Sequence, residues 1–244
     1  LFMNENGDIL QSRDDEMPYK TPIIDGMEKE TLVRPYMLFN EQLFRFEIHR
    51  TSAGNYLFLD VHHIIADGTS LEILINDINR AYSGETLEKE TYTSYELALD
   101  NQDALASDAY KNAENYYRSV FEKAGGSMAF YPDKAGAAPT AEMYHREVSE
   151  ISVQDVKDFC KKNGITENVF FIAAFGLTLG KYNFKDHSVF TTIYHGRNDS
   201  RLSDTVGMLV KTLPVYCDFS GRAKTYLADV QQQIMESMNH DIYP

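Results

Sequence analysis

Alternating apolar and polar positions predict an antiparallel hairpin in the first quarter of the chain. Apolar side chains occupy every second position of residues 44–48, which is the spacing of a strand with one buried face. A Gly-Asn turn follows at 54–55, and an apolar run over 56–61 then leads to His62 and His63. The pattern predicts a second strand that ends in these two histidines, with their side chains on opposite faces.

Helical periodicity accounts for most of the chain after the two histidines. Apolar residues recur at helical spacing in segments that predict helices over 69–82, 92–105, 108–124, 153–163, 168–182 and 225–238. Thr69 followed by Glu72 fits a capping box at the start of the first helix. Residues 168–182 are almost wholly apolar, so we expect that helix to be buried on most of its sides.

Breaks between these helices predict further strands and a division into two lobes. Short extended pieces are expected on both sides of a turn at 6–8, residues 13–29 are predicted to form a loop, and strands are predicted over 144–151, 189–195 and 206–219. Residues 125–141 are rich in Gly, Pro and Ala and lack periodicity. They are predicted to link an N-terminal lobe, residues 1–124, to a C-terminal lobe, residues 142–244.

Composition narrows the classes of partner. The chain has 37 acidic and 23 basic residues and a formal charge of -14, which argues against nucleic acid or an anionic membrane surface as a partner. No apolar stretch approaches the length of about 18 residues that a membrane span needs, so a cytoplasmic location is predicted. Cys160 and Cys217 are expected to be reduced core thiols. The chain does not begin with Met, and we interpret it as a fragment of a longer protein.

The segment around the two histidines is the main candidate for chemistry. Histidine titrates close to neutral pH and therefore suits proton transfer, but adjacent histidines are also common as hydrogen-bonded structural residues. The residues alone leave both interpretations open. A metal site is disfavoured because no clear third ligand follows at helical spacing. Asp67 and Gly68 supply turn chemistry, and Gly68 leaves room for a ligand against the main chain.

Four segments resemble those of one protein family in the same order. Residues 62–68 read HHIIADG and resemble the HHxxxDG signature of condensation domains in nonribosomal peptide synthetases, a branch of the chloramphenicol-acetyltransferase-like acyltransferases. Residues 195–197 read HGR and resemble the glycine-arginine turn of the second lobe. Residues 206–215 read VGMLVKTLPV and resemble VGMFVNTLPL, with Lys211 in place of asparagine. Residues 240–244 read HDIYP and resemble a shortened HQDYPFE motif.

The resemblance implies an α+β fold, an α/β two-layer sandwich in each of two chloramphenicol-acetyltransferase-like lobes whose mixed sheets are flanked by helices. In the family, the lobes face each other across a tunnel. Gly207, Met208 and Thr212 are the candidates to line it. Lys211 is expected either to steer the phosphate of a substrate or, as a strand lysine, to face solvent. Both lobes are expected to be partial.

The resemblance also implies an activity. Donor and acceptor carrier proteins deliver two phosphopantetheine-bound thioesters, and amide formation joins them within a synthetase that contains neighbouring domains. His63 takes the catalytic position, as a general base or as a positioning group. His62, Asp67, Gly68 and Arg197 take structural positions, with Asp67 expected to pair with Arg197 across the lobe interface. No permanently bound cofactor and no metal are implied.

Competing functions differ from this one in specific residues. An epimerisation domain shares the signature but resembles EGHGRE at the second-lobe turn, where this chain has Ile193 in place of the glutamate. A cyclisation domain replaces the paired histidines with aspartate. An O-acyltransferase of the chloramphenicol type carries its signature near the end of the chain. A non-catalytic or incomplete module that only docks carrier proteins remains the alternative of a different class.

Overall fold

A computed structural model describes residues 1–12, 19–39, 41–125 and 142–243. The predicted linker at 125–141 lies outside this part of the chain, apart from Gly125. The strands are β1 (Phe2–Met3), β2 (Ile9–Leu10), β3 (Ile23–Asp25), β4 (Phe44–Thr51), β5 (Gly54–Val61), β6 (His187–Tyr194) and β7 (Lys211–Asp218). The helices are α1 (Lys29–Leu32), α2 (Gly68–Tyr82), α3 (Ser94–Ala104), α4 (Asp108–Ala124), α5 (Val153–Asn163), α6 (Glu167–Tyr182) and α7 (Ala223–Asn239). The α+β fold class predicted from the sequence is confirmed.

Two compact units are interleaved along the sequence. The first consists of residues 1–100 and 197–210, and the second consists of residues 101–196 and 211–244. Helix α4 belongs to the second unit because it packs against β6 and β7. These units therefore divide the chain at other places than the boundary predicted at 125–141.

The first unit is built on the sheet that carries the histidine segment. Strands β4 and β5 form the predicted antiparallel hairpin, in which Phe44 lies opposite Val61. Strand β3 pairs in parallel with β4. The prediction of a loop over residues 13–29 was wrong for β3, because three exposed residues give too short a pattern to register as a strand.

The two histidines do not lie in the strand, so the prediction that they occupy opposite faces of it was wrong. Strand β5 ends at Val61, and the last ladder-like bond runs from the N–H of His62 to the carbonyl of Leu43 at 2.8 Å. His63 lies in a turn that runs into α2. Its direction is therefore set by the turn and not by the pleat of a strand.

Helix α2 begins one residue earlier than predicted and has a different cap. The N-cap is Asp67, whose side chain accepts a hydrogen bond from the backbone N–H of Ser70 at 2.9 Å. The predicted capping box of Thr69 and Glu72 was wrong, because an aspartate at the N-cap already satisfies a free donor of the first turn. Asp67 stands three residues before Ser70, which is the spacing between an N-cap side chain and the N–H group that it binds.

The second unit packs helices α4 to α7 around the antiparallel pair β6 and β7. Its core includes Cys160, Val169, Ala173, Val215, Cys217 and Val230, all at most 3% exposed. Both cysteines are free and buried, which confirms the prediction of core thiols. The prediction that α6 is buried on most sides was wrong, because Phe171 and Phe175 are 60% and 50% exposed.

Two strand predictions were wrong in part or in full. Residues 144–151 form no strand, because alternation alone does not supply a pairing partner. The extended segment 206–219 becomes a strand only at Lys211. In residues 206–210 the backbone bonds side chains instead of a neighbouring strand, as described below. Within the described residues, no helix combines the length and the apolar character needed to cross a membrane.

Candidate functional site

His63 is an exposed residue that is held by a hydrogen bond at one of its two ring nitrogens. Its Nδ1 lies 2.8 Å from the carbonyl oxygen of Ala66. Because a carbonyl only accepts, this contact assigns the proton of the neutral ring to Nδ1 and leaves the lone pair on Nε2. The His63 side chain is exposed, whereas Ala66 is buried. The arrangement leaves Nε2 as the acceptor nitrogen of an exposed side chain whose other nitrogen is fixed.

His62 is held in the opposite way. Its Nδ1 accepts a hydrogen bond from the backbone N–H of Ile64 at 3.1 Å, so the lone pair on that nitrogen is used inside the turn. Its ring packs edge-on against Tyr36, with the ring centroids 5.7 Å apart. These contacts give His62 the role of a turn residue, whereas the neighbouring His63 keeps a free acceptor.

Asp67 is the most constrained ionisable group of the segment. It is 1% exposed, and its two oxygens lie 2.8 and 3.0 Å from the two terminal nitrogens of Arg197. The same carboxylate accepts hydrogen bonds from the backbone N–H groups of Ser70 at 2.9 Å and Leu209 at 3.1 Å. Two-point pairing of a guanidinium with a carboxylate is the strongest form of side-chain ion pair.

The pairing of Asp67 with Arg197 is present, but not where it was expected. Both residues belong to the first compact unit, because residues 197–210 are part of that unit. The expectation that this pair spans an interface between lobes was therefore wrong in its location. The ion pair instead holds the 197–210 segment against the turn that carries the histidines.

The ion pair and the capping bonds keep Asp67 ionised. Burial alone would raise the pKa of this carboxyl group, but the hydrogen bonds from Arg197, from Ser70 and from the Leu209 N–H outweigh burial. Together they lower the pKa of Asp67 from its ordinary value of 3.8 to about 2. The carboxylate is thus charged over the whole physiological pH range.

We expect this lowered pKa to give the protein an acid-sensitive stability. When the pH falls, the unfolded chain binds a proton at Asp67 before the folded chain does, so the free energy of unfolding falls. The loss should occur between about pH 4 and about pH 2 and amount to about 2 kcal/mol, from the pKa values in the two states. Urea unfolding at several pH values in that range measures it.

The matched variant for this measurement is Asp67→Asn, which cannot titrate at that position. Its free energy of unfolding should be lower at neutral pH and should change less than that of the unsubstituted chain on acidification. An equal change in both proteins would contradict the assignment of the acid sensitivity to Asp67.

The remaining predicted site residues, which are two glycines, a methionine and a threonine, lie in different surroundings. Gly68 is the exposed first residue of α2, and a Cβ added there would meet nothing within 4 Å. Gly207 is buried, and a Cβ added there would lie 2.6 Å from Leu209 Cδ1, so it is needed for packing and not to leave room for a ligand. Met208 is 45% exposed. Thr212 is exposed on β7 in the second unit, so it is not part of the unit that carries the histidine turn.

Lys211 is paired within the protein and does not simply face solvent, whereas its role in steering a phosphate stays a prediction. Its Nζ contacts the backbone carbonyl of Asp241 and lies 3.7 Å from the carboxylate of the same residue. The side chain is 32% exposed. Lys211 thus holds the segment that follows α7, because its ammonium group is paired within the second unit.

Two contributors were missed from the sequence, the hydroxyl of Ser70 and the backbone N–H of Leu209. Ser70 stands three residues after Asp67, which is the spacing between an N-cap and the donor it binds, so the first was detectable in principle. The N–H of Leu209 had no local signal, because its partner is 142 residues away in sequence.

Comparison with known proteins places this geometry in context. The family model described as "Condensation domain" matches residues 3–244. Tyrocidine synthase 3 of Brevibacillus parabrevis is 24% identical over 257 residues, which cover 100% of this chain and 4% of that protein. Bacitracin synthase 2 of Bacillus licheniformis is 26% identical over 259 residues, which cover 100% of this chain and 10% of that protein. The chain thus spans a small part of the length of these relatives.

Solved structures show the same fold at low identity. The first condensation domain of the calcium-dependent antibiotic synthetase, solved with a substrate analogue, has a TM-score of 0.72 at 17% identity, over 99% of this chain and 62% of that one. The epimerization domain from the third module of tyrocidine synthetase B has a TM-score of 0.63 at 15% identity, over 91% and 57% of the two chains. Because domains with different names share the fold, the fold alone does not select an activity.

Proposed function

Because the chain belongs to the condensation domain family, we propose that it forms amide bonds in nonribosomal peptide synthesis. The donor is an acyl or peptidyl thioester and the acceptor is an aminoacyl thioester, each on the phosphopantetheine arm of a carrier protein. The observation that carries the proposal is the state of His63, an exposed residue whose Nδ1 is bound to the Ala66 carbonyl so that Nε2 is the acceptor of the neutral ring. This is the arrangement that suits a group interacting with an attacking amine.

The reaction needs one proton acceptor and no redox partner. The amine nitrogen of the acceptor attacks the donor carbonyl carbon, the new C–N bond forms, and the C–S bond of the donor thioester breaks. The proton lost by the amine goes to Nε2 of His63, and the departing thiolate of the donor carrier takes up a proton to become a thiol. His63 thereby acts as a general base, or it orients the amine through the same nitrogen and stabilises the developing charge.

The other residues of the segment support His63 and do not take part in the bond changes. Asp67 and Arg197 fix the helix entrance that follows the turn. The open space above Gly68 leaves the backbone accessible near the histidine. In this proposal the phosphopantetheine arms arrive with the substrates, so the protein itself keeps no bound cofactor.

The partners follow from the same reaction. The chain acts on a donor carrier protein and an acceptor carrier protein. It works beside the neighbouring domains of a synthetase in the cytoplasm. The formal charge of -14 is consistent with partners other than nucleic acid.

An assay with two loaded carrier proteins tests the proposal. The donor carrier bears an acyl or aminoacyl thioester, the acceptor carrier bears an aminoacyl thioester, and mass spectrometry of the acceptor carrier detects the condensed product. We expect product on the acceptor and free thiol on the donor when the catalyst is this chain or a longer polypeptide that contains it. An acceptor with an acetylated amine is the matched control and should give no product.

Three other outcomes would overturn the proposal in distinguishable ways. Deuterium incorporation from solvent at the α-carbon of a single loaded residue, without amide formation, indicates epimerisation. Transfer of the acyl group to a hydroxyl acceptor indicates an O-acyltransferase. Binding of both carriers by the longer polypeptide, with neither product, indicates a docking module.

A further inference from the structure

The hydroxyl of Ser70 connects two segments that are far apart in sequence. Ser70 is 0% exposed, and its Oγ lies 2.8 Å from the carbonyl oxygen of Gly207 and 3.0 Å from the backbone nitrogen of the same residue. Its Oγ also lies 2.8 Å from Asp67 Oδ1 and 3.2 Å from a terminal nitrogen of Arg197. One buried hydroxyl therefore touches the helix entrance, the ion pair and the 205–209 backbone.

The single proton of this hydroxyl has two acceptors at the same distance, and the surroundings favour one of them. The carboxylate of Asp67 already accepts four N–H groups, two from Arg197 and one each from the backbones of Ser70 and Leu209. A carboxylate offers about four acceptor positions, so these are filled. The carbonyl of Gly207 is buried and needs a donor, and the Ser70 O–H is the donor at hand. Ser70 thus both accepts from and donates to Gly207.

We propose that Ser70 is a positioning residue for His63. The Ser70 hydroxyl bonds the backbone of Gly207, and two residues further on the N–H of Leu209 donates to Asp67. The carbonyl of Ala66, which adjoins Asp67 in the chain, binds Nδ1 of His63. Fixing Gly207 against Ser70 fixes the direction of the Ala66 carbonyl, and that carbonyl holds the His63 ring and its proton. The inference rests on the proposed function of His63.

Packing around Gly207 makes this connection stiff. A side chain at Gly207 has no space, since an added Cβ would lie 2.9 Å from Ser94 Cβ, so the backbone comes close enough for the hydroxyl to bond it. Thr205 anchors the same segment, because its Oγ1 donates to the Tyr92 carbonyl at 2.6 Å. The Ser70 contact is therefore made to a backbone that is held on its other side as well, and a supporting residue of this kind sets the aim of a catalytic group.

The test compares Ser70→Ala with Ser237→Ala in the full polypeptide that carries this chain. Ser237 is a matched control, because it is 1% exposed and its Oγ lies 3.0 Å from the Tyr116 hydroxyl in the second unit. We expect kcat for amide formation to fall by roughly 10- to 100-fold in Ser70→Ala, with KM for both loaded carriers unchanged. Ser237→Ala should keep the kcat of the unsubstituted protein, although both variants lose a buried hydroxyl.

A spectroscopic readout separates this inference from the proposed function. Long-range proton–nitrogen correlation spectra of protein with ¹⁵N-labelled histidine distinguish the two neutral tautomers, and His63→Ala identifies the signals. We expect the Nδ1-protonated form of His63 in the unsubstituted protein and a mixture of tautomers in Ser70→Ala. A pure Nδ1-protonated form in Ser70→Ala, with the kcat of the control, would overturn the positioning role.

The two failures give different results. If His63→Ala condenses as fast as the unsubstituted protein, the proposed function is wrong, whereas the tautomer spectra still test the connection from Ser70 to His63. If Ser70→Ala does not fold, Ser70→Cys takes its place, because a thiol of similar shape is only a weak donor and acceptor. In Ser70→Cys, a mixture of tautomers supports the inference and an unchanged spectrum overturns it.

Discussion

Replacing Asp67 with alanine is expected to lower the free energy of unfolding by about 3 to 5 kcal/mol, the range for removal of one partner from a buried ion pair. The side chain of Arg197 is only 5% exposed and would be left as a buried charge without its carboxylate. The N–H groups of Ser70 and Leu209 would lose their acceptor at the same time. Urea unfolding at neutral pH, followed by circular dichroism, measures the change.

Asp199→Ala is the matched control for this loss. Asp199 lies in the same 197–210 segment and pairs with Arg201, but the side chains are 39% and 55% exposed. Water replaces the lost ion pair there, and only the cap of the short 3₁₀ turn at Ser200–Leu202 is lost with it, so the free energy of unfolding should fall much less than in Asp67→Ala. Loss of condensation activity in Asp67→Ala with unchanged thermal stability would contradict the structural role of the carboxylate.

A double-mutant cycle of Asp67→Ala with Arg197→Met measures the coupling between the two side chains. Each single substitution leaves one charge of the buried ion pair without its counter-charge, whereas the double substitution removes both charges. The double variant should therefore lose less stability than the sum of the two single losses. A loss in the double variant equal to the sum of the two single losses would mean that the two side chains do not depend on each other.

The sequence predicted the elements whose signals are local. Helix α4 matches the predicted bounds of 108–124, and α5 matches 153–163 with Ser152 as N-cap and Gly164 in the left-handed conformation at its end. Caps and apolar periodicity lie within the helix they define, so no distant contact is needed to read them. The hairpin β4–β5 was predictable for the same reason, since alternation and a turn define it.

Elements that depend on distant partners could not be read in this way. Strand β3 has three residues and is a strand only because β4 lies beside it. Residues 144–151 alternate as a strand does but lie in no strand ladder of the described chain. Alternation alone therefore does not decide whether a segment forms a strand. The start of β7 was misplaced because side chains more than 130 residues away bind the backbone of 207 and 209.

The same limit applies to the candidate site. His63 was found through its motif, but the state of its ring depends on the Ala66 carbonyl. The roles of His63 and His62 differ because their Nδ1 atoms bond different backbone groups, and not because they face opposite sides of a strand as predicted. Arg197 was correctly paired with Asp67 through the family resemblance. The unit to which Arg197 belongs became apparent only from tertiary contacts.

His63→Ala is expected to reduce the rate of amide formation by about 10²- to 10⁴-fold, the usual contribution of a general acid–base group. The reason is the loss of the Nε2 acceptor of His63, while the backbone of the turn stays bonded at His62 and Asp67. Single-turnover assays with loaded donor and acceptor carriers measure the chemical step. His62→Ala serves as the comparison. It should lower the free energy of unfolding and reduce this rate much less than His63→Ala does.

The rate of His63→Gln distinguishes a base from a positioning group. Glutamine retains an acceptor oxygen that can orient an amine, but it cannot take up a proton at neutral pH. If Nε2 is a general base, His63→Gln should be about as slow as His63→Ala, because neither side chain takes up the proton of the amine. If Nε2 only orients the amine, His63→Gln should recover much of the rate lost in His63→Ala. Equal rates for His63→Ala and the unsubstituted protein would exclude both roles and leave carrier docking as the function of this turn.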